Sequence, residues 1–291
     1  MKFSHQRSIG QSAREYGRGI AGGLMFSMPL LYTMEVWWAG FVLHPWRILL
    51  YMVCTFGLLF LYNRFAGLRR DATLREVAID SMEEMGIGLV LAAMVLWLTG
   101  RIEGAMPLSE IAGKITLEGM TVAIGVSVGT AQLGADCNGD EGYSGDGNGN
   151  GTGEAGGYLP EASVALCGAV LFAANVAPTE EMIVIAMESH PGKILILAVS
   201  SLALGWLVLH FAGIHGSGKH IQRDTPLLVF RGVVTTYAVA LAAGAGCLYF
   251  FGRFDGEPWR MVLNQTVVIG LPAVLGASAG RLLLQIRTPG S

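Results

Sequence analysis

The chain has 291 residues, of which 52% are hydrophobic and only 14% are charged. A soluble domain carries about 25% charged residues, so the composition argues against a soluble or a disordered protein. It is typical of a polytopic membrane protein, whose lipid-facing helices cannot carry charge. The formal net charge of −3 lacks the basic footprint of a nucleic-acid-binding protein.

Eight apolar runs approach the roughly 20 residues that a helix needs to cross a bilayer. The fourth and eighth runs are long enough to cross, but re-entry is left open for both. The predicted spans are Gly19–Trp38, Pro45–Tyr62, Val77–Leu98, Ile115–Ala135, Ala162–Ala186, Ile194–Ala212, Leu227–Phe251 and Val262–Leu284.

The distribution of Lys and Arg predicts the orientation. With eight crossings and the N-terminus in the cytoplasm, 13 of these residues lie inside and 6 outside. Cytoplasmic loops carry the excess of Lys and Arg, so we expect a cytoplasmic N-terminus.

Two segments half a chain apart resemble each other. Residues 44–67 and 190–213 are identical at 10 of 24 positions without a gap, and residues 100–104 (GRIEG) match residues 252–256 (GRFDG). The order of these matches is the same in both halves. The pattern predicts an internal duplication.

The predicted organisation is a first repeat (1–135), an acidic Gly-rich linker (136–157) and a second repeat (158–291). Four spans per repeat make both halves enter the membrane from the same side, related by a pseudo-two-fold axis along the membrane normal. The predicted fold is therefore an all-α membrane bundle of about eight transmembrane helices in two tandem four-helix repeats of parallel orientation.

Ionisable residues within spans are costly and indicate function. Thr33 and Glu35 recur as Thr179 and Glu181, with Glu180 beside the latter. One interpretation is that these acids line a cation or proton path on the pseudo-axis, with the threonines supplying hydroxyl groups. The other is that they are structural carboxylates bonded to Trp or Arg.

Two prolines indicate helix breaks in the same regions. Pro178 is followed by acidic residues, which is typical of a helix start, so the fifth span is expected to consist of two half-helices. Pro29 suggests a kink in the first span. Discontinuous helices mark binding sites in many transporters, but a plain proline kink has the same sequence pattern.

The third span opens with Asp80 and Glu84, which lie on one helix face because they are four residues apart. They could line the inner mouth of a path. The alternative is a helix end neutralised by basic residues, here Arg69, Arg70 and Arg75.

The fourth and eighth spans contain the small-residue motifs Gly125-x-x-x-Gly129 and Gly276-x-x-x-Gly280. Such motifs allow close helix approach. Whether they pack within one chain or between chains is left open, and so is a homo-oligomer.

The linker contains Asp146, Asn148 and Asn150, spaced like the first ligands of an EF-hand. Its twelfth position is Gly157 and not the expected Glu, so a flexible tether competes with a calcium site. Catalytic triads and zinc motifs are missing from the sequence. We therefore expect neither an enzyme nor a cofactor.

Residues 27–38 (SMPLLYTMEVWW) and 175–182 (NVAPTEEM) resemble a family of bacterial polytopic integral membrane proteins, defined as a domain of unknown function. The resemblance implies an inner-membrane location and supplies no substrate. A looser likeness is to cation/proton exchangers, which also place Pro and Glu on broken helices but have inverted repeats.

The sequence leads to two functional hypotheses. The first is a cation channel or transporter, with proton coupling as one form, in which a small cation or proton is the ligand and lipid is the surroundings. The second is a non-transporting membrane scaffold or sensor subunit whose acidic loop binds a partner or calcium.

Overall fold

The computed structural model describes residues 9–67, 73–133, 158–216 and 226–286. Within these ranges the regular structure is entirely α-helical, as predicted. The ten helices are α1 (Ile9–Leu31), α2 (Met34–Val42), α3 (Pro45–Ala66), α4 (Leu74–Leu98), α5 (Leu108–Leu133), α6 (Tyr158–Val176), α7 (Glu180–Glu188), α8 (Pro191–Gly216), α9 (Pro226–Phe250) and α10 (Trp259–Ile286).

Six helices in the described ranges are long and apolar enough to cross a membrane, and α6 with α7 would make a seventh span. The six are α3, α4, α5, α8, α9 and α10. Both α5 and α10 are continuous, with 26 and 28 residues respectively. At 1.5 Å per residue, each exceeds the roughly 30 Å hydrocarbon core, which favours crossing over re-entry.

Each half contains a bend that we call an elbow, the first between α1 and α2 and the second between α6 and α7. The second elbow bends by 89°, and α7 begins at Glu180 after Thr179, as expected from Pro178. The predicted first span, Gly19–Trp38, was wrong in its extent. Helix α1 ends at Leu31 and a separate helix starts at Met34, because Pro29 removes a backbone donor close to the end of α1.

Glycines bring the first and last helices of each half into backbone contact, as their spacing predicted. In the first half a Cβ added to Gly22 would collide with Gly129 and with the carbonyl of Gly125. In the second half the same contact joins Gly168 to Gly276. The small-residue motifs therefore pack within the chain.

The contacts at the elbows correspond between the halves. Gly40 of α2 lies on the backbone of Gly113 and Lys114, and the carbonyl of Ala186 in α7 accepts a hydrogen bond of 3.1 Å from Asn264. Two differences in residue number relate these contacts. Gly40 and Ala186 are 146 positions apart, and Gly113 and Asn264 are 151 positions apart. The glycine contacts show the same differences, because Gly22 and Gly168 are 146 positions apart and Gly125 and Gly276 are 151 positions apart.

The two halves meet at a side chain inserted into α1. The Asn175 amide donates to the carbonyl of Phe26 (3.1 Å) and accepts from the backbone N–H of Leu30 (3.2 Å). It thus occupies the place of the α1 hydrogen bond between these two residues. Asn175 is the sequence counterpart of Pro29, so each elbow contacts the matching region of the other.

Substitution of Gly129 by alanine tests the glycine contact. The new Cβ would lie 2.5 Å from the Gly22 Cα, in a site walled by backbone. We expect the free energy of unfolding to fall by about 1–3 kcal/mol, which is measured as a lower unfolding temperature in detergent. Gly86 of α4 has open space around it, so Gly86→Ala should have no such effect or stabilise slightly. Equal behaviour of the two variants would contradict the packing.

Candidate functional site

The predicted acidic residues lie in the first turns of the two short helices. Glu35 is in the first turn of α2, and Glu180 and Glu181 are in the first turn of α7. Carboxylates are favoured there because the helix dipole is positive at its N-terminus. All three side chains therefore lie at the end of the bundle that contains the elbows, which we call the elbow end.

The two threonines of the repeated motif close the elbows. The Thr33 hydroxyl donates to the carbonyl of Pro29 (2.7 Å), and the Thr179 hydroxyl donates to that of Val176 (2.9 Å). Neither side chain caps its own helix by a hydrogen bond. Both hydroxyl hydrogens are thus donated to backbone carbonyls, and only the lone pairs of the hydroxyl oxygens are left to bind a ligand.

One guanidinium lies near the acids of both halves. Arg253 follows α9 and donates from Nε to the carbonyl of Ala177 in the second elbow, at 3.3 Å. Burial lowers the pKa of Arg253, and the charges of Glu35, Glu180 and Glu181 oppose this effect. The acids of the two halves therefore share the field of one positive charge.

An ion pair joins the halves beside this cluster. Arg47, at the start of α3, donates to both carboxylate oxygens of Asp255 at 2.5 and 2.7 Å. The guanidinium also lies over the rings of Trp46 and Tyr249, at 5.7 and 5.2 Å. The hydrogen bonds from Arg47 lower the pKa of Asp255.

Breaking this pair should cost little, because the Asp255 side chain is 58% exposed. We expect a coupling below about 1 kcal/mol in a double-mutant cycle of Arg47→Gln and Asp255→Asn. A lowered carboxyl pKa stabilises the fold above the usual value of about 4. The coupling should therefore vanish as the pH falls through the pKa of folded Asp255.

The measurement is the unfolding free energy in detergent across this pH range. The matched control is Glu257→Gln, since Glu257 is in the same loop and forms no salt bridge within the described residues. A coupling that is unchanged at acid pH would contradict the assignment.

At the opposite end of the first half, a network connects three helices. The Asn63 amide of α3 donates to Ser81 (3.1 Å) and Glu84 (2.7 Å) of α4 and accepts from Ser127 (3.0 Å) of α5. These four residues form the Asn63 network. The Asn63, Ser81 and Ser127 side chains are buried, so the network satisfies polar groups that lipid could not.

The other acids of this helix end have partners of their own. Glu83 accepts a hydrogen bond from Tyr16 of α1, and Asp80 is also engaged in an interaction. The structure thus brings Glu84 to an amide, whereas Arg69 and Arg70 lie outside the described residues. Asp80 and Glu84 both lie in the N-terminal half of α4.

Asn63 and Glu118 are among the residues that sequence reasoning missed. Asn63 lies one residue beyond the predicted second span, and its sequence counterpart is Leu209. The difference between a polar residue in one half and an apolar residue at the matching position of the other could have indicated it. Glu118 lies within the fourth predicted span, in a run taken as apolar and small. It is 0% exposed, and neither carboxylate oxygen has a hydrogen-bond partner in the described part of the chain.

Some predicted positions cannot be placed. The calcium candidates Asp146, Asn148 and Asn150 lie outside the described residues, together with the whole of the linker. Among the residues that the structure does describe, no group of three or more His, Cys, Asp or Glu side chains could hold a metal ion.

Comparison with known families gives one match. Residues 15–284 match the family described as "Putative integral membrane protein (DUF2391)". The match spans most of the chain and confirms the resemblance inferred from the sequence. No curated protein and no solved structure matches the chain.

Proposed function

Because the chain belongs to the DUF2391 family of integral membrane proteins, we propose that it moves protons or another small cation across the membrane. The observation that carries this proposal is that Glu35, Glu180 and Glu181, from the first turns of two short helices that follow a break, all lie within electrostatic range of Arg253. Broken helices with ionisable residues at the break are typical of transport sites. An arriving cation would compete with the guanidinium for these carboxylates.

In this proposal the elbow end is the outer mouth and the Asn63 network is the inner one. Asp80 and Glu84 lie in the N-terminal half of α4, where Glu84 is hydrogen-bonded to Asn63. Carboxylate oxygens can replace part of the hydration shell of a cation. The predicted excess of Lys and Arg on one side supports a cytoplasmic N-terminus and an inner-membrane location.

The proposal includes a duplicated architecture of eight crossings with parallel repeats. It is supported by the identical order of long and short helices in the two halves. The corresponding glycine contacts and the insertion of Asn175 opposite its own counterpart also support it. They support a position of α1 and α6 close to the proposed pseudo-axis.

Removing the charge of the outer acids tests the transport proposal. Glu35→Gln and Glu181→Gln keep the side-chain shape but cannot neutralise a cation. We expect each to lower cation flux about tenfold, the effect of roughly 1.4 kcal/mol. The assay is flux of H⁺, Na⁺, K⁺, Mg²⁺ and Ca²⁺ in proteoliposomes.

Glu188→Gln is the matched control, since Glu188 is exposed at the far end of α7. Its flux should equal that of the wild type. Wild-type flux in both test variants would refute the role of the acids. Absence of flux in the wild type for every ion would refute transport itself.

Deleting residues 142–156 separates transport from a scaffold or sensor role. If the segment only tethers two repeats, we expect the deletion to leave flux unchanged, because a flexible linker tolerates shortening. Loss of partner capture with no flux in any variant would support the scaffold. Flux and the unfolding temperature should be measured on the same preparation.

A further inference from the structure

The acid with the least support in the structure is Glu118. It lies near the middle of the 26-residue helix α5, is 0% exposed and has no hydrogen-bond partner for either carboxylate oxygen within the described residues. Burying an ionised carboxylate without a partner is far more costly than burying the neutral acid. A fold that needed only packing would place an apolar residue here.

The second half has an apolar residue at the corresponding position. The contacts of Gly113 with α2 and of Asn264 with α7 pair residues that differ by 151 positions. In this register the counterpart of Glu118 is Ile269, which is 0% exposed. The architecture is therefore compatible with an apolar side chain at this position, so packing does not account for the carboxylate.

Glu118 lies on the face of α5 that the first elbow covers. Residues four apart lie within about 40° of each other around a helix. Lys114, one turn away, contacts Gly40 of α2, and Val122, one turn in the other direction, contacts Gly23 of α1. Glu118 is thus placed beneath the point where α1 gives way to α2.

Few titratable groups face this position. On α5 itself Lys114 is the nearest in sequence, and its ammonium is bound by Glu110 at 2.6 Å. From α3, Tyr51 lies close enough to interact electrostatically with Glu118.

The other packed helices contribute small or apolar side chains at this level. Those of α1 are Gly22 and Gly23, and those of α4 are Gly88 and Leu89. From α2, Glu35 is the acid nearest the elbow in sequence, and it lies in the field of Arg253.

We propose that Glu118 is a reversible proton-binding site, closed by the first elbow and reached by water when α2 moves away from α5. A proton from water binds the carboxylate and leaves a neutral acid that the apolar surroundings tolerate. Hydration of the site lowers the cost of the charged form and releases the same proton. Proton binding by Glu118 is independent of the proposed function, and only a role of this binding in transport rests on it.

The elbow is closed by the backbone packing of Gly40 in α2 on Gly113 and Lys114 in α5, and by polar interactions of Trp37. The Trp37 indole donates to the carbonyl of Leu31 at 3.3 Å, and the Arg101 guanidinium lies 4.3 Å from the Trp37 ring centre. These interactions join α2 to the end of α1 and to the loop after α4. Opening of the elbow would also separate Gly40 from Gly113, but would leave the glycine contact between α1 and α5 in place.

Hydroxyl groups continue from Glu118 towards the Asn63 network. Thr121 lies three residues after Glu118 on α5. Its hydroxyl forms a buried hydrogen bond of 2.9 Å with the hydroxyl of Tyr51 in α3. Ser127 follows and donates to Asn63, which binds Glu84. This sequence of groups would let a proton pass between Glu118 and the inner acids, with water bridging the remaining gaps.

Infrared difference spectra of the full chain in proteoliposomes test proton binding directly. A protonated carboxylic acid has a carbonyl-stretch band that a carboxylate lacks and that shifts in D₂O. We expect such a band in the wild type to disappear at alkaline pH and to be missing in Glu118→Gln. The matched control Glu110→Gln should retain it, since Glu110 pairs with Lys114 at the end of α5.

Glu118→Ile controls for folding, because the second half accommodates Ile269. We expect it to keep the wild-type unfolding temperature and to lose the band. A wild type with no pH-dependent band, or an identical band in Glu118→Gln, would overturn the proposal. Flux is measured separately: a band without flux in any variant refutes the proposed transport and leaves proton binding intact.

Discussion

The backbone contact between the first and last helices of each half sets the geometry of everything else. Gly22 against Gly129, and Gly168 against Gly276, leave no room for a side chain between the helices. Dispersion and weak Cα–H···O contacts hold such helices together in lipid, where no hydrophobic force drives them to associate. With the helix pair fixed, the short helix that follows must lie over the start of the last helix, which places the elbow.

The elbows then depend on polar groups that lipid cannot satisfy. Pro29 lacks an N–H, and Asn175 from the other half bonds to both Phe26 and Leu30 around it. A half-buried amide whose donor and acceptor atoms are both hydrogen-bonded fixes a unique arrangement more strictly than an apolar contact does. This insertion ties the first elbow to the second and brings their acidic turns near the same guanidinium, that of Arg253.

The two halves share architecture but not buried chemistry. Asn63, Glu84 and Glu118 belong to the first half, and their counterparts are Leu209, Thr236 and Ile269. The outer acids, in contrast, occur in both. The second half has buried polar side chains of its own, among them Gln265 and Ser278, but it lacks a counterpart of the Asn63 amide and of the Glu118 carboxylate.

Composition and motif spacing determined the membrane class, the helical fold, the break at Pro178 and the glycine contacts, because each follows from local chemistry or from a period along one helix. A common neighbourhood for Glu35 and Glu181 could be suggested from the sequence only through the repeat. The insertion of Asn175, the network around Asn63 and the isolation of Glu118 needed the tertiary structure. A polar residue in an apolar run looks alike in sequence whether it faces an amide, a guanidinium or nothing, and only the packing of neighbouring helices decides which partner it meets.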